Sequence, residues 1–376
     1  MSRHGRLELP DRPRILVITL RRLGDVLLST PLIRTLRRGF PHARLDVLVF
    51  RGSEGILAGN PDIDDVLTMP ERPSPSDTFA LLRRLWRRYD LVVSTQAGDR
   101  PTFFALAAGR RRVGMVPRAG ERGAWWKRYT HHVAIVAEPE SHRVTELLRL
   151  ADALGLAPVP EIVCPQRAPD RSAAARSPYA VLHPNPFHAY KRWTDAGWRS
   201  LAGALAERGL AVLVTGGPAG AEREYLDRLW KDADPAVHRL DGRLDWPQLT
   251  ALLAGAKVYV GADTSMTHLA AGSGCPTVAI YGPTSPRLIG PWPVGGLDPP
   301  WEPAGTIQRR GNVWVVQNPL PCLPCERLGC EGHLDSHAQC LDELSTRQVL
   351  VAVDQALAFR NQSSGISNRV PGVHGD

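Results

Sequence analysis

Lysine is scarce in this chain: only four of its 46 basic residues are lysines, Lys127, Lys191, Lys231 and Lys257. No stretch reaches the roughly 18 consecutive apolar residues of a membrane-spanning helix, so no span is predicted. The charged N-terminus has no apolar core of a signal peptide, and the chain is therefore expected in the cytoplasm. Where arginine stands almost everywhere, a remaining lysine attracts attention, because an ammonium does some things that a guanidinium cannot.

The composition is that of a globular protein with an excess of basic residues. Its 376 residues suggest two or three domains. The net charge of +8 and the pI near 9.5 favour acidic partners such as nucleotides, phosphorylated lipids, membrane surfaces or nucleic acid. A general preference for arginine explains the same charge without any partner.

Short apolar segments alternate with helical patterns twice along the chain, which predicts an α/β fold with two Rossmann-like domains facing a central cleft (GT-B architecture). The predicted strands are residues 14–19, 44–50, 91–94, 133–136, 179–183, 211–215, 258–261 and 277–281. The predicted helices are residues 27–38, 78–88, 195–208 and 246–254. The predicted domains are residues 12–160 and 178–344, followed by a terminal helix over 345–360 and a disordered tail over 361–376.

The first motif covers residues 19–31, where strand one turns into helix one. Gly24 permits a tight turn, and Asp25 is expected to point into the cleft. Such a carboxylate can take a proton from an acceptor hydroxyl. Asp is equally a preferred N-cap residue, and position alone favours the cap. The turn has no G-x-G-x-x-G pattern, so a dinucleotide site is unsupported.

Two further motifs follow the first two strands of the second half. Lys191 comes after residues 179–183, at a strand end where a phosphate is expected, although a surface basic pair with Arg192 is the alternative. The Gly-rich turn at Gly216 allows a ligand to approach the backbone. Glu222 or Glu224 can accept hydrogen bonds from ribose hydroxyls, unless both are ordinary helix-start charges.

The longest motif covers residues 261–286 and opens a helix directly after a strand. Its hydroxyl and N–H groups can hold a pyrophosphate, and an ordinary capped helix is the alternative. The candidate donor-binding residues here are Asp263, Thr264, Ser265 and His268, with Gly282 and Thr284 at the rim after the next strand.

These segments resemble glycosyltransferase family 9, the bacterial heptosyltransferases. The segment G-A-D-T-S-M-T-H-L-A-A-G-S-G-C-P-T-V-A-I-Y-G-P-T is similar to the family signature, and L-G-D-V…T-P and K-R-W match two further elements. The resemblance implies that Asp25 is the catalytic base, that Lys191 contacts donor phosphate, and that Asp263, Thr264 and His268 form the donor loop. Ser265 stands where the family usually has glycine, which leaves the donor's identity open.

The resemblance implies an inverting glycosyltransferase that needs no cofactor for chemistry. The expected donor is a nucleotide sugar, ADP-heptose, and the expected acceptor is a lipopolysaccharide core or other lipid-linked glycan. Peripheral contact of the protein with the inner membrane surface is also expected. The alternatives are a family member with another nucleotide sugar, an epimerase of the same fold, and a nucleic-acid-binding protein. The last is disfavoured because the sequence has no recognised nucleic-acid-binding motif.

Two features lie outside the transferase motifs. Four cysteines with C-x2-C-x4-C-x9-C spacing are candidates for a structural zinc or other metal, with buried reduced thiols as the alternative: Cys322, Cys325, Cys330 and Cys340. His333 and His337 are spare ligands. The Trp125-Trp126-Lys127-Arg128 segment suits a membrane interface or a lipid-linked acceptor, or else is core. Residues 110–112 can contact acceptor phosphates, with a solvated basic loop as the alternative.

Overall fold

The computed structural model describes residues 8–121, 123–138, 140–167, 177–218, 220–231 and 236–366. The chain forms two compact units, Met1–Arg167 and Ala168–Asp376, called the first and second unit below. In the part described, no helix is both long enough and apolar enough to cross a bilayer.

The first unit is a parallel sheet with helices on both faces. The strands of its described part are β1 (Arg14–Thr19), β2 (Arg44–Phe50), β3 (Asp65–Met69), β4 (Tyr89–Ser94), β5 (Gly109–Val116) and β6 (Val133–Val136). The helices are α1 (Leu23–Leu27), α2 (Thr30–Gly39), α3 (Pro75–Leu85), α4 (Asp99–Ala108), α5 (Ala124–Thr130) and α6 (Arg143–Asp152). The strand order is β3-β2-β1-β4-β5-β6, so the chain reverses its direction across the sheet between β1 and β4.

The second unit repeats this plan. Its described strands are β7 (Tyr179–His183), β8 (Ala211–Val214), β9 (Val237–Arg239), β10 (Val258–Ala262), β11 (Thr277–Ile280), β12 (Ile307–Arg310) and β13 (Val313–Val316). Its helices are α7 (Asp195–Glu207), α8 (Gly220–Leu229), α9 (Trp246–Gly255), α10 (Ser265–Gly272), α11 (Pro286–Ile289), α12 (Gln339–Asp342) and α13 (Thr346–Ile366). The order is β12-β13-β11-β10-β7-β8-β9, with only the β12–β13 pair antiparallel among these strands.

The predicted fold class, an α/β protein with two Rossmann-like domains, is confirmed by these sheets. Residues 15–18 of β1 and the whole of β10 are apolar and buried because helices cover both faces of a parallel sheet. The reversal in the second sheet lies between β7 and β10. Ligands of such sheets bind outside the carboxyl ends of the strands at these reversals, which directs attention to the loops after β1, β4, β7 and β10.

Three predicted elements differ from the structure. The single helix over 27–38 is two helices, α1 and α2, because Pro31 favours the first turn of a new helix and cannot donate a hydrogen bond within an existing one. Residues 110–112 belong to strand β5 and are not a loop. Helix α13 continues to Ile366, past the predicted start of a disordered tail at 361, since no proline interrupts the chain before Pro371. Residues 367–376 lie outside the described part.

Candidate active site

Asp25 is the third residue of α1, just after the carboxyl end of β1. The N-cap of that helix is Arg22, and the structure gives α1 no side-chain cap. The alternative interpretation of Asp25 as an N-cap is therefore wrong. Gly24 precedes it within the same first turn, where the chain leaves the sheet.

Two arginines hold the Asp25 carboxylate. Nε of Arg21 lies 2.9 Å from Oδ1 of Asp25, and Nε of Arg143 lies 3.5 Å from the same oxygen. The Arg143 side chain is 11% exposed, against 43% for Arg21, so the Arg143 ion pair is the less screened of the two. Oδ1 is itself buried. The contacts given for the two cations are thus both to the same oxygen of the carboxylate, Oδ1.

Arg143 is anchored on two more sides. Its Nη1 lies 2.9 Å from Oε2 of Glu146, and its Nη2 donates a 2.9 Å hydrogen bond to the carbonyl of Thr95. Burial lowers the pKa of Arg143, as does the nearby Arg21, while Asp25 and Glu146 raise it. Arg143 and Glu146 were missed in the sequence because they begin α6, more than 100 residues from Asp25 along the chain.

In the second unit, Lys191 and Asp263 form a hydrogen-bonded ion pair. Lys191 follows β7 and Asp263 follows β10, so the pair spans the two strands between which the sheet reverses direction. The Asp263 side chain is 7% exposed and the Lys191 side chain 20% exposed. The tertiary structure therefore brings together two residues that the sequence analysis named separately.

The charge of Asp263 is stabilised from several sides. Burial would raise the pKa of Asp263, but Lys191, His268 and a hydrogen bond with Thr284 outweigh it and lower the pKa below its usual value. Thr284 comes from the loop after β11, the neighbour of β10. The loops after β7, β10 and β11 thus meet at one buried carboxylate.

Helix α10 presents two hydroxyl residues at its N-terminus. Thr264 is the N-cap and Ser265 is the first helical residue, and both are half-buried, whereas the following residues through Ala271 are buried. The side chain of Thr264 makes no capping hydrogen bond, so it does not occupy the first N–H groups of the helix. The free N–H groups at such a helix N-terminus can bind an anion such as a phosphate.

Glu222 of α8 lies beside the double-glycine turn that follows β8. A Cβ atom at Gly217 would lie 2.5 Å from Oε2 of Glu222, so Gly217 makes room for this carboxylate, whereas a Cβ atom at Gly216 would lie 2.5 Å from Cδ1 of Leu226. Glu224 is exposed on α8. Of the two candidates, only Glu222 lies against the turn at the carboxyl end of the sheet. Gly282 is packed against Leu341, where a Cβ would come within 2.7 Å of the leucine.

The family model of glycosyltransferase family 9 (heptosyltransferase) matches residues 78–295, which is more than half of the chain. The chain belongs to glycosyltransferase family 9. It is thus a glycosyltransferase, as the resemblance of its motifs predicted, and the predicted alternatives, an epimerase and a nucleic-acid-binding protein, gain no support.

Other family 9 proteins resemble the chain over most of its length. Lipopolysaccharide heptosyltransferase 1 of Pseudomonas aeruginosa is 29% identical over 331 residues, covering 84% of this chain and 87% of that protein. The structure of ADP-heptose lipopolysaccharide heptosyltransferase II of E. coli is similar with a TM-score of 0.70 at 20% identity, over 93% of this chain and 99% of that one. An E. coli heptosyltransferase with ADP has a TM-score of 0.68 at 21% identity, over 91% and 99%. These structures share the fold of this family 9 chain.

Two residues near the family 9 motifs have structural roles. Trp193, the tryptophan of the K-R-W element, is fully buried and donates a 2.8 Å hydrogen bond from Nε1 to the carbonyl of Leu344. His183, at the end of β7, shares a 3.1 Å hydrogen bond between its Nδ1 and Oγ1 of Thr215, and burial lowers its pKa to about 4. In a sequence, a side chain that packs beside a site cannot be distinguished from one that contacts a ligand. Only the packing in the structure distinguishes the two.

The cysteine segment gives the metal prediction no support. The described residues contain no group of three or more His, Cys, Asp or Glu side chains that could hold a metal ion. Cys322 and Cys330 are exposed, whereas Cys340 is buried, where burial and the other three cysteines raise its pKa to about 12. Sequence spacing shows that the thiols are close along the chain, but not at what depth each lies.

Proposed function

We propose that this family 9 enzyme transfers a heptose from ADP-heptose to a lipid-linked glycan of the lipopolysaccharide core type, with inversion at the anomeric carbon. The names of its relatives support the sugar and the acceptor. The observation that carries the proposal is the ion pair of Lys191 and Asp263 at the reversal of the second sheet. It provides a fixed cation and an adjacent helix N-terminus where a nucleotide diphosphate would lie.

The second unit is the proposed donor site. The pyrophosphate would accept hydrogen bonds from the first N–H groups of α10 and from the hydroxyls of Thr264 and Ser265. Lys191, already held by Asp263, would contact the same phosphates. Glu222 would accept hydrogen bonds from the ribose hydroxyls. When the bond between the anomeric carbon and the phosphate oxygen breaks, the electron pair goes to the diphosphate, whose growing charge these groups stabilise.

Asp25 is the proposed base. The acceptor hydroxyl would attack the anomeric carbon from the side opposite the leaving diphosphate and give its proton to Oδ2 of Asp25. Arg143 and Arg21, which both contact Oδ1, would hold the carboxylate in its orientation for this transfer. The new glycosidic bond and free ADP are the products, and the proton remains on Asp25 until it leaves to solvent.

Calorimetric titration with ADP, UDP, GDP and CDP tests the donor assignment. We expect selective binding of ADP by the wild-type protein and by Asp11→Asn, an exposed control in the first unit, with loss of binding in Asp263→Ala. A preference for another nucleotide would overturn the ADP-heptose assignment while keeping the transferase. Equal binding of ADP by Asp263→Ala would remove Asp263 from the donor site.

A further inference from the structure

Helices α3, α4 and α5 cover one face of the first unit's sheet. Leu81 and Leu85 of α3 and Phe104 of α4 belong to one core cluster with the side chains that point from β1 and β4 toward that face. Helix α5 connects β5 to β6 in the same direction across the sheet as α4 connects β4 to β5, and right-handed crossovers place both on the same face. The three helices are thus neighbours in the order α3, α4, α5.

The outer surface of these helices carries every exposed large hydrophobic side chain in the described part of the first unit. They are Phe79 (63% exposed), Trp86 (65%), Phe103 (47%), Leu106 (49%), Trp125 (71%) and Tyr129 (84%), and we call them the aromatic face. Exposed apolar residues scattered one by one are ordinary on a protein surface. Six of them confined to three adjacent helices are not, and such a concentration marks an interaction surface.

The spacing within each helix directs these residues outward together. Phe103 and Leu106 are three residues apart in α4, and Trp125 and Tyr129 are four apart in α5, so each pair lies on one side of its helix. The inner side of α4 is filled by Phe104, which is buried. Helix α4 is thus apolar on its outer side as well, where a helix facing water would be polar.

The part of the chain that forms these three helices, together with β4 and β5 between them, is strongly basic. Residues 75–130 contain twelve basic and four acidic residues, a net charge of +8 that equals the net charge of the full chain. Arg83, Arg88 and Arg128 are exposed, and no acidic partner for them occurs among the described residues. Lys127 differs, since it is buried and its Nζ lies 2.8 Å from Oδ1 of Asp99.

We infer that the aromatic face and its arginines dock the first unit on the surface of an anionic lipid bilayer. Tryptophan and tyrosine side chains favour the boundary between headgroups and acyl chains, and clustered arginines are attracted to anionic headgroups. The complementary charge is what selects a bilayer over a second copy of this chain, because two copies would each bring the same positive charge to the interface. This rests on the proposed function in one respect: the acceptor is lipid-linked and therefore lies in that bilayer.

Flotation with lipid vesicles tests the docking. We expect the wild-type protein to bind vesicles that contain phosphatidylglycerol, to bind pure phosphatidylcholine vesicles weakly, and to be released by salt. Two triple variants should each weaken vesicle binding by about tenfold or more. One combines Trp86→Ala, Trp125→Ala and Tyr129→Ala. The other combines Arg83→Glu, Arg88→Glu and Arg128→Glu. The matched controls on α13 of the second unit, Val351→Ala and Arg347→Glu, should bind as the wild type does.

Titration with ADP and transfer to a detergent-dispersed acceptor are measured on the same variants. Retained ADP binding shows that the second unit is intact. Retained transfer in detergent, which needs Asp25, shows that the first unit is folded and that only docking is lost. Wild-type-like vesicle binding by both triple variants would overturn the inference, and so would a wild-type protein that ignores anionic vesicles and instead forms dimers through this face. Either result leaves the proposed reaction standing, while failure of transfer with normal docking overturns the reaction alone.

Discussion

Arg143 and Asp25 form an ion pair across the first unit, with Nε of the arginine 3.5 Å from Oδ1 of the carboxylate. They lie at the point where the order of strands reverses between β1 and β4. The arginine is fixed by Glu146 and the Thr95 carbonyl, and thus behaves as a rigid support rather than a mobile surface charge. The same arrangement at the second sheet joins Lys191 to Asp263. In each unit, a cation from one segment of the chain orients a carboxylate from another.

Asp25→Asn should lower kcat by about 10²- to 10⁴-fold while leaving the affinity for ADP unchanged, because an amide cannot accept the acceptor's proton. Steady-state kinetics together with calorimetry measure the two quantities on one preparation. Asp11→Asn is the control for loss of a carboxylate elsewhere in the first unit. Near-normal kcat in Asp25→Asn would mean that another group takes the proton.

Arg143→Met should reduce the free energy of unfolding by about 3 kcal/mol, because the Glu146 carboxylate, 12% exposed, would lose its cation and Asp25 would keep only the more exposed Arg21. It should also lower kcat by about 10²-fold through misplacement of Asp25. Arg143→Lys keeps the charge and should recover part of kcat. Arg21→Met removes the more exposed cation and should reduce the free energy of unfolding by less than about 1 kcal/mol. Urea unfolding and kcat check the series, and equal effects at both arginines would contradict it.

Lys191→Met should destabilise the protein most near neutral pH. The lowered pKa of Asp263 means that its ion pair contributes stability above the unfolded pKa, near 4, and that this contribution is lost as the pH falls through the folded pKa. The difference in melting temperature between wild type and variant should therefore shrink as Asp263 becomes protonated. Thermal unfolding at pH 7 and at about pH 3 measures it. A difference independent of pH would argue against this ion pair as its source.

Glu222→Gln should weaken ADP binding by about tenfold, the equivalent of roughly 1.4 kcal/mol, because an amide is a poorer acceptor for ribose hydroxyls than a carboxylate. Glu224→Gln is the matched control two residues along the same helix, exposed to solvent. It should bind ADP as the wild type does. The reverse ranking in calorimetry would move the ribose contact to Glu224.

His131 should make the first unit sensitive to acid. It is buried against Gly114, and neither ring nitrogen has a hydrogen-bond partner among the described residues. Burial, with smaller effects of Arg112 and His132, lowers its pKa to about 4, from roughly 6.5 in the unfolded chain. The folded state thus binds fewer protons, and stability falls as the pH drops from about 6.5 toward 4, by about 3 kcal/mol in all. His131→Phe should make the free energy of unfolding, measured by urea unfolding, less dependent on pH in this range. An unchanged slope would show that other groups cause it.

The sequence by itself determined the fold class, because buried parallel strands are continuous apolar runs and helices between them have their own period. It also predicted Asp25, Lys191 and Asp263 as candidate site residues, since glycine turns and polar residues directly after strands indicate ligand loops. Local signals gave these positions because each depends on neighbours within a few residues.

Only the tertiary structure decided which of these residues meet. Lys191 and Asp263 are 72 residues apart, and Arg143 is still farther from Asp25, so their pairing depends on the order of strands in each sheet. The choice of Glu222 over Glu224, the burial of Trp193 and Lys127, and the collection of six exposed hydrophobics on three helices likewise follow from packing. The sequence determines which side chains are present. How deeply each one is buried, and which side chains lie next to each other, depends on contacts between residues that are far apart in the sequence. Those contacts determine both which charges meet in the candidate site and which hydrophobic side chains remain exposed.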